Sequence, residues 1–144
     1  MIINNEVGNR LLKFGVKPSL QRIAIMEYLM EHLTHPTADI IFNDLYPSIP
    51  TLSKTTVYNT LKLLEEQGAV RAITIDEKNQ RYDADISPHA HFKCKRCGSV
   101  NDISVKNVST FENIDSDDIL LTDFQMYFKG YCKRCKSLII QNAN

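Results

Sequence analysis

Four cysteines stand as two CxxC pairs, Cys94-Lys95-Arg96-Cys97 and Cys132-Lys133-Arg134-Cys135. A two-residue spacer puts both thiolates of a pair on one tight turn. Two such turns facing each other make a tetrahedral sulfur cage that suits structural Zn(II). Gly98 follows the first pair, where a knuckle turn calls for positive φ. Two disulfides would need an oxidising compartment, and nothing in the chain suggests secretion. A thioredoxin-like redox pair needs one CxxC that opens a helix rather than two matched knuckles. The cage reading makes the C-terminal half a metal-stapled module, with Cys94, Cys97, Cys132 and Cys135 as its ligands.

A second, harder donor set lies among the histidines, His32, His35, His89 and His91. His89 and His91 lie two apart, so on a strand both point to one face. His35 stands in the loop His35-Pro36-Thr37 at the mouth of a helix. Asp83 ends an expected strand, and Asp102 lies on the strand after the first knuckle. Three imidazoles and two carboxylates form a mixed nitrogen and oxygen set suited to Fe(II), Mn(II) or Zn(II). Gathered together, they would tie the helical half to the zinc half, and metal occupancy would set the angle between them. Spacing also leaves a plainer alternative open: both aspartates solvated and His35 incidental. His32 is read as a charge partner for the C-terminus of its own helix.

Composition frames both sites. The chain has 144 residues, 43% hydrophobic and 8% aromatic, enough for one medium domain or two small ones with packed cores. Residues Met1–Glu6 lack the basic start and apolar run of a signal peptide. No apolar stretch approaches the length of a membrane span. Cysteine confined to CxxC pairs points to a reducing cytoplasm. The formal net charge is zero, which argues against strong non-specific nucleic-acid binding. Even so, residues 1–22 carry Arg10, Lys13, Lys17 and Arg22 against Glu6 alone. Such a basic end can supply phosphate contacts, doubled in a dimer, or can be a plain solvated helix face.

The positioning elements follow from periodicity and caps. Val7, Leu11, Leu12 and Phe14 give a helical stripe that stops at Gly15. Ser19 caps a second helix with Leu20, Ile23, Ile25, Met26, Leu29 and Leu33 as its apolar set. Thr37 caps a short third helix ended by Pro47, and Ser53 caps a fourth that stops at Gly68. Residues 69–75, the turn 76–79 and residues 80–83 read as a β-hairpin. Helices followed by a hairpin is winged-helix order. The expected fold class is α+β: a winged-helix domain over 1–84, a hinge at 85–88, and a small α/β dimerisation and metal-binding domain over 89–144. Within the last part, 90–93 and 100–105 read as strands, 107–118 as a short helix and 119–131 as a strand. Leu138-Ile139-Ile140 reads as an apolar stub.

The fourth helix carries the interaction surface. Val57, Leu61 and Leu64 fall at i, i+4 and i+7 and face the core. Thr55, Tyr58, Asn59 and Lys62 cluster on the outer side. Small polar, amide, aromatic and basic groups on one outward face suit a major-groove reader. Asn59 can pair bidentately with adenine, while Thr55, Tyr58 and Lys62 take phosphates or pyrimidine methyls. The alternative is an ordinary solvated helix face.

Together these pieces resemble the ferric uptake regulator family of metal-responsive, dimeric winged-helix repressors, over roughly residues 6–136. The resemblance is carried by His35-Pro36-Thr37-Ala38-Asp39, by Ser53 to Gly68 with Thr56-Val57-Tyr58-Asn59-Thr60-Leu61, by Arg81-Tyr82-Asp83, by His89-Ala90-His91-Phe92 and by the two CxxC pairs. Within the family the chain is most similar to the peroxide-sensing PerR branch. That branch uses three histidines and two aspartates, matched here by His35, Asp83, His89, His91 and Asp102; iron-uptake regulators usually carry glutamates at the carboxylate positions. The resemblance implies a homodimer that closes onto double-stranded operator DNA when Fe(II) or Mn(II) is bound. It implies contacts from Arg22, Thr55, Thr56, Tyr58, Asn59 and Lys62. It also implies that peroxide reacting at bound Fe(II) adds oxygen to His35 or His89, after which metal and DNA are lost. No histidine follows His91, so a further site using a C-terminal histidine is not expected, and residues 107–118 depart most from the family pattern.

Three other functions compete. A metal-availability regulator for iron or zinc would use the same parts. A metallohydrolase needs an open coordination position, a base and a substrate cleft, and the chain has no HExxH, GxSxG or phosphate loop. A zinc-ribbon interaction module would leave the fourth helix and the hairpin unused.

Overall fold

In the computed structural model, which describes residues 5–76, 78–106 and 117–142, the first helix, α1 (Asn5–Lys13), buries Val7 and Leu11. It stops at Gly15, whose φ of +76° is the left-handed backbone that glycine adopts without strain. Leu12 departs from the expected stripe and is exposed. Helix α2 (Leu20–Glu31) starts where Ser19 Oγ accepts from the Arg22 N–H at 3.2 Å. Ile25, Met26 and Leu29 form its buried face, whereas Leu20 and Leu33 are exposed. Leu33 lies beyond the helix end, where His32 is the C-cap and its ring nitrogen meets the Tyr28 carbonyl at 2.9 Å.

Helix α3 (Ala38–Leu45) is capped by Thr37, and α4 (Lys54–Glu66) by Ser53, whose Oγ accepts from the Thr56 N–H at 3.1 Å. Val57, Leu61 and Leu64 of α4 are fully buried against the other three helices. Truncating one of these leucines to alanine is expected to cost about 2–5 kcal/mol, because transfer and cavity terms add. The hairpin pairs β1 (Arg71–Ile73) with β2 (Arg81–Asp83), antiparallel, with Arg71 opposite Asp83. It is shorter than expected for a local reason. The N–H groups of Ala69 and Val70 bond to Leu64 O at 2.8 and 3.4 Å, so both residues finish the helix rather than start the strand.

The chain forms two compact units, Met1–Ile86 and Ser87–Asn144. In the second, β3 (Ala90–Cys94) is the central strand. It pairs antiparallel with β4 (Val100–Ile103) and parallel with β5 (Met126–Gly130). The expected strand over 119–131 contracts to β5, and residues 119–125 carry no regular structure, with Leu120 87% exposed. The expected helix over 107–118 falls almost wholly on 107–116, outside the described residues. The apolar stub proves to be part of a helix, α5 (Lys133–Asn142). A three-residue apolar run does not by itself separate strand from helix. One consequence corrects the matched-knuckle expectation: the second CxxC does open a helix, while the first occupies a tight turn after β3. The fold class is α+β, a helical part with a hairpin followed by an α/β domain with clustered cysteines. Among the described residues no helix is long and apolar enough to cross a membrane.

Candidate metal centres and the outward face of helix four

Cys94 ends β3, and the turn that follows carries Cys97 and Gly98, the latter at φ +76°. The Gly98 N–H closes the knuckle on Cys94 O at 3.0 Å, and the Cys94 N–H donates to Ser99 O at 2.9 Å. Cys132 directly precedes α5 and Cys135 lies in its first turn. Parallel pairing of Cys94 with Gly130 brings the two pairs together. The four ligand atoms all lie within 4.8 Å of one another, and all four cysteines are free of disulfides.

Two of the cage sulfurs, Cys94 and Cys97, are electrostatically prepared to be anionic, whereas Cys132 is pushed up: a backbone hydrogen bond at Cys135 lowers it, but burial and hydrogen bonds to the neighbouring thiols outweigh that. Cys94 and Cys135 are fully buried and Cys97 is exposed. Backbone N–H groups of Cys97 and Cys132 point at Cys94 Sγ from 3.5 and 3.4 Å. These donors, Cys97 foremost, hold the Cys94 thiol down to about 6. The Ser99 hydroxyl, 3.2 Å from Cys97 Sγ, keeps that thiol below the ordinary range too. Arg96 reaches across the knuckles to Cys135 Sγ at 3.7 Å. A hydrogen bond to Cys135 raises the Arg134 guanidinium above its usual value. Four thiolates on a divalent ion leave a net charge of −2, which these donors offset, so the set fits zinc. The Lys-Arg filling of both CxxC pairs was the readable sign of that compensation.

The harder donors are held in two groups, one in each unit. In the first unit, His35 and Asp83 face each other, His35 Nε2 to Asp83 Oδ2 at 3.4 Å, with both side chains 2% exposed. Three contacts enforce this pairing. The Tyr82 N–H donates to Pro36 O at 3.0 Å, Thr37 bridges to Arg81, and the Arg81 guanidinium donates to His35 O at 3.1 Å. His35 itself sits at φ +57°, a conformation costly for a side chain larger than glycine. Asp83 Oδ1 accepts from the Asp85 N–H at 2.9 Å, which turns Oδ2 toward the histidine.

In the second unit, His91 lies opposite Asp102 in the β3–β4 register, and His89, one residue before β3 begins, brings its ring centre to 4.4 Å from that of His91. Both imidazole Nε2 atoms approach one oxygen, Asp102 Oδ1, at 3.2 Å from His89 and 3.4 Å from His91. Ser87 O lies 2.7 Å from His89 Nδ1, which places the proton there and leaves Nε2 as the ligating atom. Each group is thus oriented by its own unit's backbone. Two imidazoles on one carboxylate, and a third on another, make donors of the hardness that divalent iron or manganese takes.

On α4, Thr55, Tyr58, Asn59 and Lys62 are all exposed, opposite the buried Val57, Leu61 and Leu64. Thr56 is half-buried and its hydroxyl meets Ser53 Oγ at 2.9 Å, so it serves the helix cap as well. Arg22, Thr56 and Asn59 line one polar recess with Ser19, Gln21 and Thr60. The Tyr58 hydroxyl donates to Asp39 Oδ1 at 3.3 Å, and Lys62 lies 4.0 Å from Glu66. Sequence reasoning passed over Lys54, the exposed first residue of α4, whose ammonium stands over the Phe42 ring; its place just after the Ser53 cap was the available signal. It also passed over the Arg81 contact, which only the loop geometry reveals.

Comparison with known proteins bears on all of this. Residues 13–129 match the model of the ferric uptake regulator family. The peroxide-responsive repressor PerR of Staphylococcus epidermidis is 35% identical over 128 residues, covering 88% of this chain and 85% of that one. The solved ferric uptake regulator of Helicobacter pylori superposes with a TM-score of 0.72 at 23% identity, over 93% of this chain and 91% of that one. PerR from Streptococcus pyogenes, whose structure was described as a basis for peroxide sensing and gene regulation, gives a TM-score of 0.51 at 28% identity, over 94% of each chain.

Proposed function

Because the chain belongs to the ferric uptake regulator family, and so is a metal-binding, DNA-binding transcriptional repressor rather than an enzyme, we propose that it senses hydrogen peroxide through its histidine metal ligands and controls oxidative-stress genes. The reading is carried by one observation: both carboxylates set against the imidazoles are aspartates, Asp83 beside His35 and Asp102 beside His89 and His91. A shorter carboxylate leaves a bound Fe(II) more open to a small oxidant. Relatives about 35% identical over most of the chain are named peroxide-responsive repressors, which supports the same reading.

In this proposal Cys94, Cys97, Cys132 and Cys135 hold a structural Zn(II). His35, Asp83, His89, His91 and Asp102 together ligate a regulatory Fe(II) or Mn(II). Residues 1–84 are the DNA-binding domain, 85–88 the hinge and 89–144 the dimerisation domain of a cytoplasmic homodimer. An Fe(II) held by these five side chains would supply the redox chemistry that activates peroxide; overall, peroxide would be the two-electron oxidant, one of its oxygens converting a ring C–H to C–OH and the other leaving as water. His35 and His89 are the rings that take the oxygen. The contact of His89 Nδ1 with Ser87 O keeps its Nε2 aimed at the ion before oxidation. Oxidised imidazole is a poorer donor, so the ion leaves and operator DNA is released. Arg22, Thr55, Thr56, Tyr58, Asn59 and Lys62 provide the operator contacts, with Asn59 reading a base edge and Lys62 a phosphate.

The deciding experiment loads the protein anaerobically with Fe(II), adds equimolar peroxide and maps oxidation by peptide mass. One added oxygen on the His35 or His89 peptide, absent with Mn(II), is the expected result. Unmodified peptides from the iron-loaded protein would instead identify a metal-availability regulator of the same family.

A further inference from the structure

Arg10 belongs to the basic end that can supply phosphate contacts or be a solvated helix face. It turns inward. Its Nη2 donates to Ala69 O at 3.0 Å and to Ala84 O at 2.5 Å, spanning 59 and 74 residues of sequence. Its Nε is buried and makes no hydrogen bond among the described residues, and the guanidinium packs 5.9 Å from the Phe14 ring centre. Burial pulls the guanidinium below the usual arginine range, and the Asp85 carboxylate pushes it back up. Removing a cation from water is a poor route to stability, since an apolar side chain of similar length would fill the space without the desolvation cost. What the cation provides is a fixed geometry between two carbonyls.

Those carbonyls belong to two functional segments. Ala69 finishes α4, its N–H bonded to Leu64 O at 2.8 Å. Ala84 directly follows Asp83, and Arg71 opposite Asp83 is the last pair of the hairpin ladder. Arg10 therefore closes the open end of the hairpin just past the point where backbone pairing stops. A displacement of Asp83 must move Ala84, and through the shared nitrogen either move Ala69 with it or break a bond.

We propose that Arg10 is a positioning residue that couples metal ligation at Asp83 to the orientation of the DNA-reading helix α4. The inference rests on the reading of Asp83 as a regulatory-metal ligand. It needs no contact from Arg10 to either the ion or DNA.

Coupling between two ligands is reciprocal, so it can be read from the metal side alone. Mn(II) affinity would be measured by the resonance of the free ion, with and without operator DNA, in native protein, Arg10→Met and Arg10→Lys. In native protein the operator is expected to tighten Mn(II) binding on the order of 5–150-fold, the usual span of such couplings. In Arg10→Met the Mn(II) affinity without DNA should stay within about twofold while the operator's effect falls below about threefold. A merely structural clamp would lower the melting temperature and leave that ratio intact, which would overturn the inference. Should Arg10→Met fail to fold, Arg10→Lys keeps the charge, but its ammonium falls one bond short of the place Nη2 holds between both carbonyls. It is expected to lose most of the ratio, and a native ratio there overturns the inference equally. A native protein whose Mn(II) affinity ignores the operator would overturn the functional reading first, and this inference only as its dependant.

Discussion

The two donor clusters are built on opposite plans. The cysteine cage draws every ligand from one compact unit, and backbone N–H groups on neighbouring knuckle residues already point at its sulfur. The histidine and aspartate donors are divided, His35 with Asp83 in the first unit and His89, His91 with Asp102 in the second. A metal enclosed by one unit becomes part of that unit's fold. A metal that asks for donors from two units reports on whether they are brought together. The first plan suits a permanent staple and the second a signal.

The contrast predicts a graded series of effects. The largest should follow Cys94→Ser. Structural zinc contributes on the order of 10–16 kcal/mol of apparent binding free energy, coupled to folding, in small peptides. The variant should therefore unfold the second unit and abolish dimers; a full dimer by light scattering would contradict the staple. Acid should act on the same cage next. With its pKa lowered to about 6, Cys94 stays a thiolate well below the ordinary thiol range, and the stability it lends is lost only as pH falls through that value. Zinc release, followed with a chromogenic chelator, should rise as pH falls, because each thiolate must take up a proton to leave the ion. Release already complete at neutral pH would mean the N–H donors do not protect the sulfur.

At the signalling cluster the effect should be smaller and of a different kind. His35→Ala is expected to keep the fold and the zinc while Mn(II)-dependent operator affinity falls at least about tenfold. Unchanged affinity in a gel shift would remove His35 from the ligand set. The smallest change should come from Asn59→Ala, about 1–3 kcal/mol of discrimination at one base position with the melting temperature preserved. Equal weakening on every sequence would make Asn59 a phosphate contact instead.

Much of this was legible in the residues. The CxxC spacing named all four cage sulfurs, and the caps Ser19, Thr37 and Ser53 placed the starts of three helices. The i, i+4, i+7 pattern separated the buried face of α4 from its outward one. What stayed hidden depended on long-range partners. Helix α5 escaped because its short sequence shows one apolar run and one cysteine, with no periodic stripe to mark it. Arg10 escaped because nothing local distinguishes an arginine that reaches water from one that reaches carbonyls far along the chain. The hairpin ended early because Ala69 and Val70 had already given their N–H groups to Leu64.

The left-handed backbone at His35 has a consequence in the genetic code. Glycine tolerates this conformation best, and histidine shares with aspartate and asparagine a greater ease in it than other side chains have. Aspartate and asparagine both have codons one base away from those of histidine. A His35→Asp change would keep the loop conformation and, on the proposed reading, offer the ion a hard oxygen while deleting the ring proposed to accept an oxygen atom. On the proposed reading, a single nucleotide at this position would thus separate a ligand that peroxide can mark from one that it cannot.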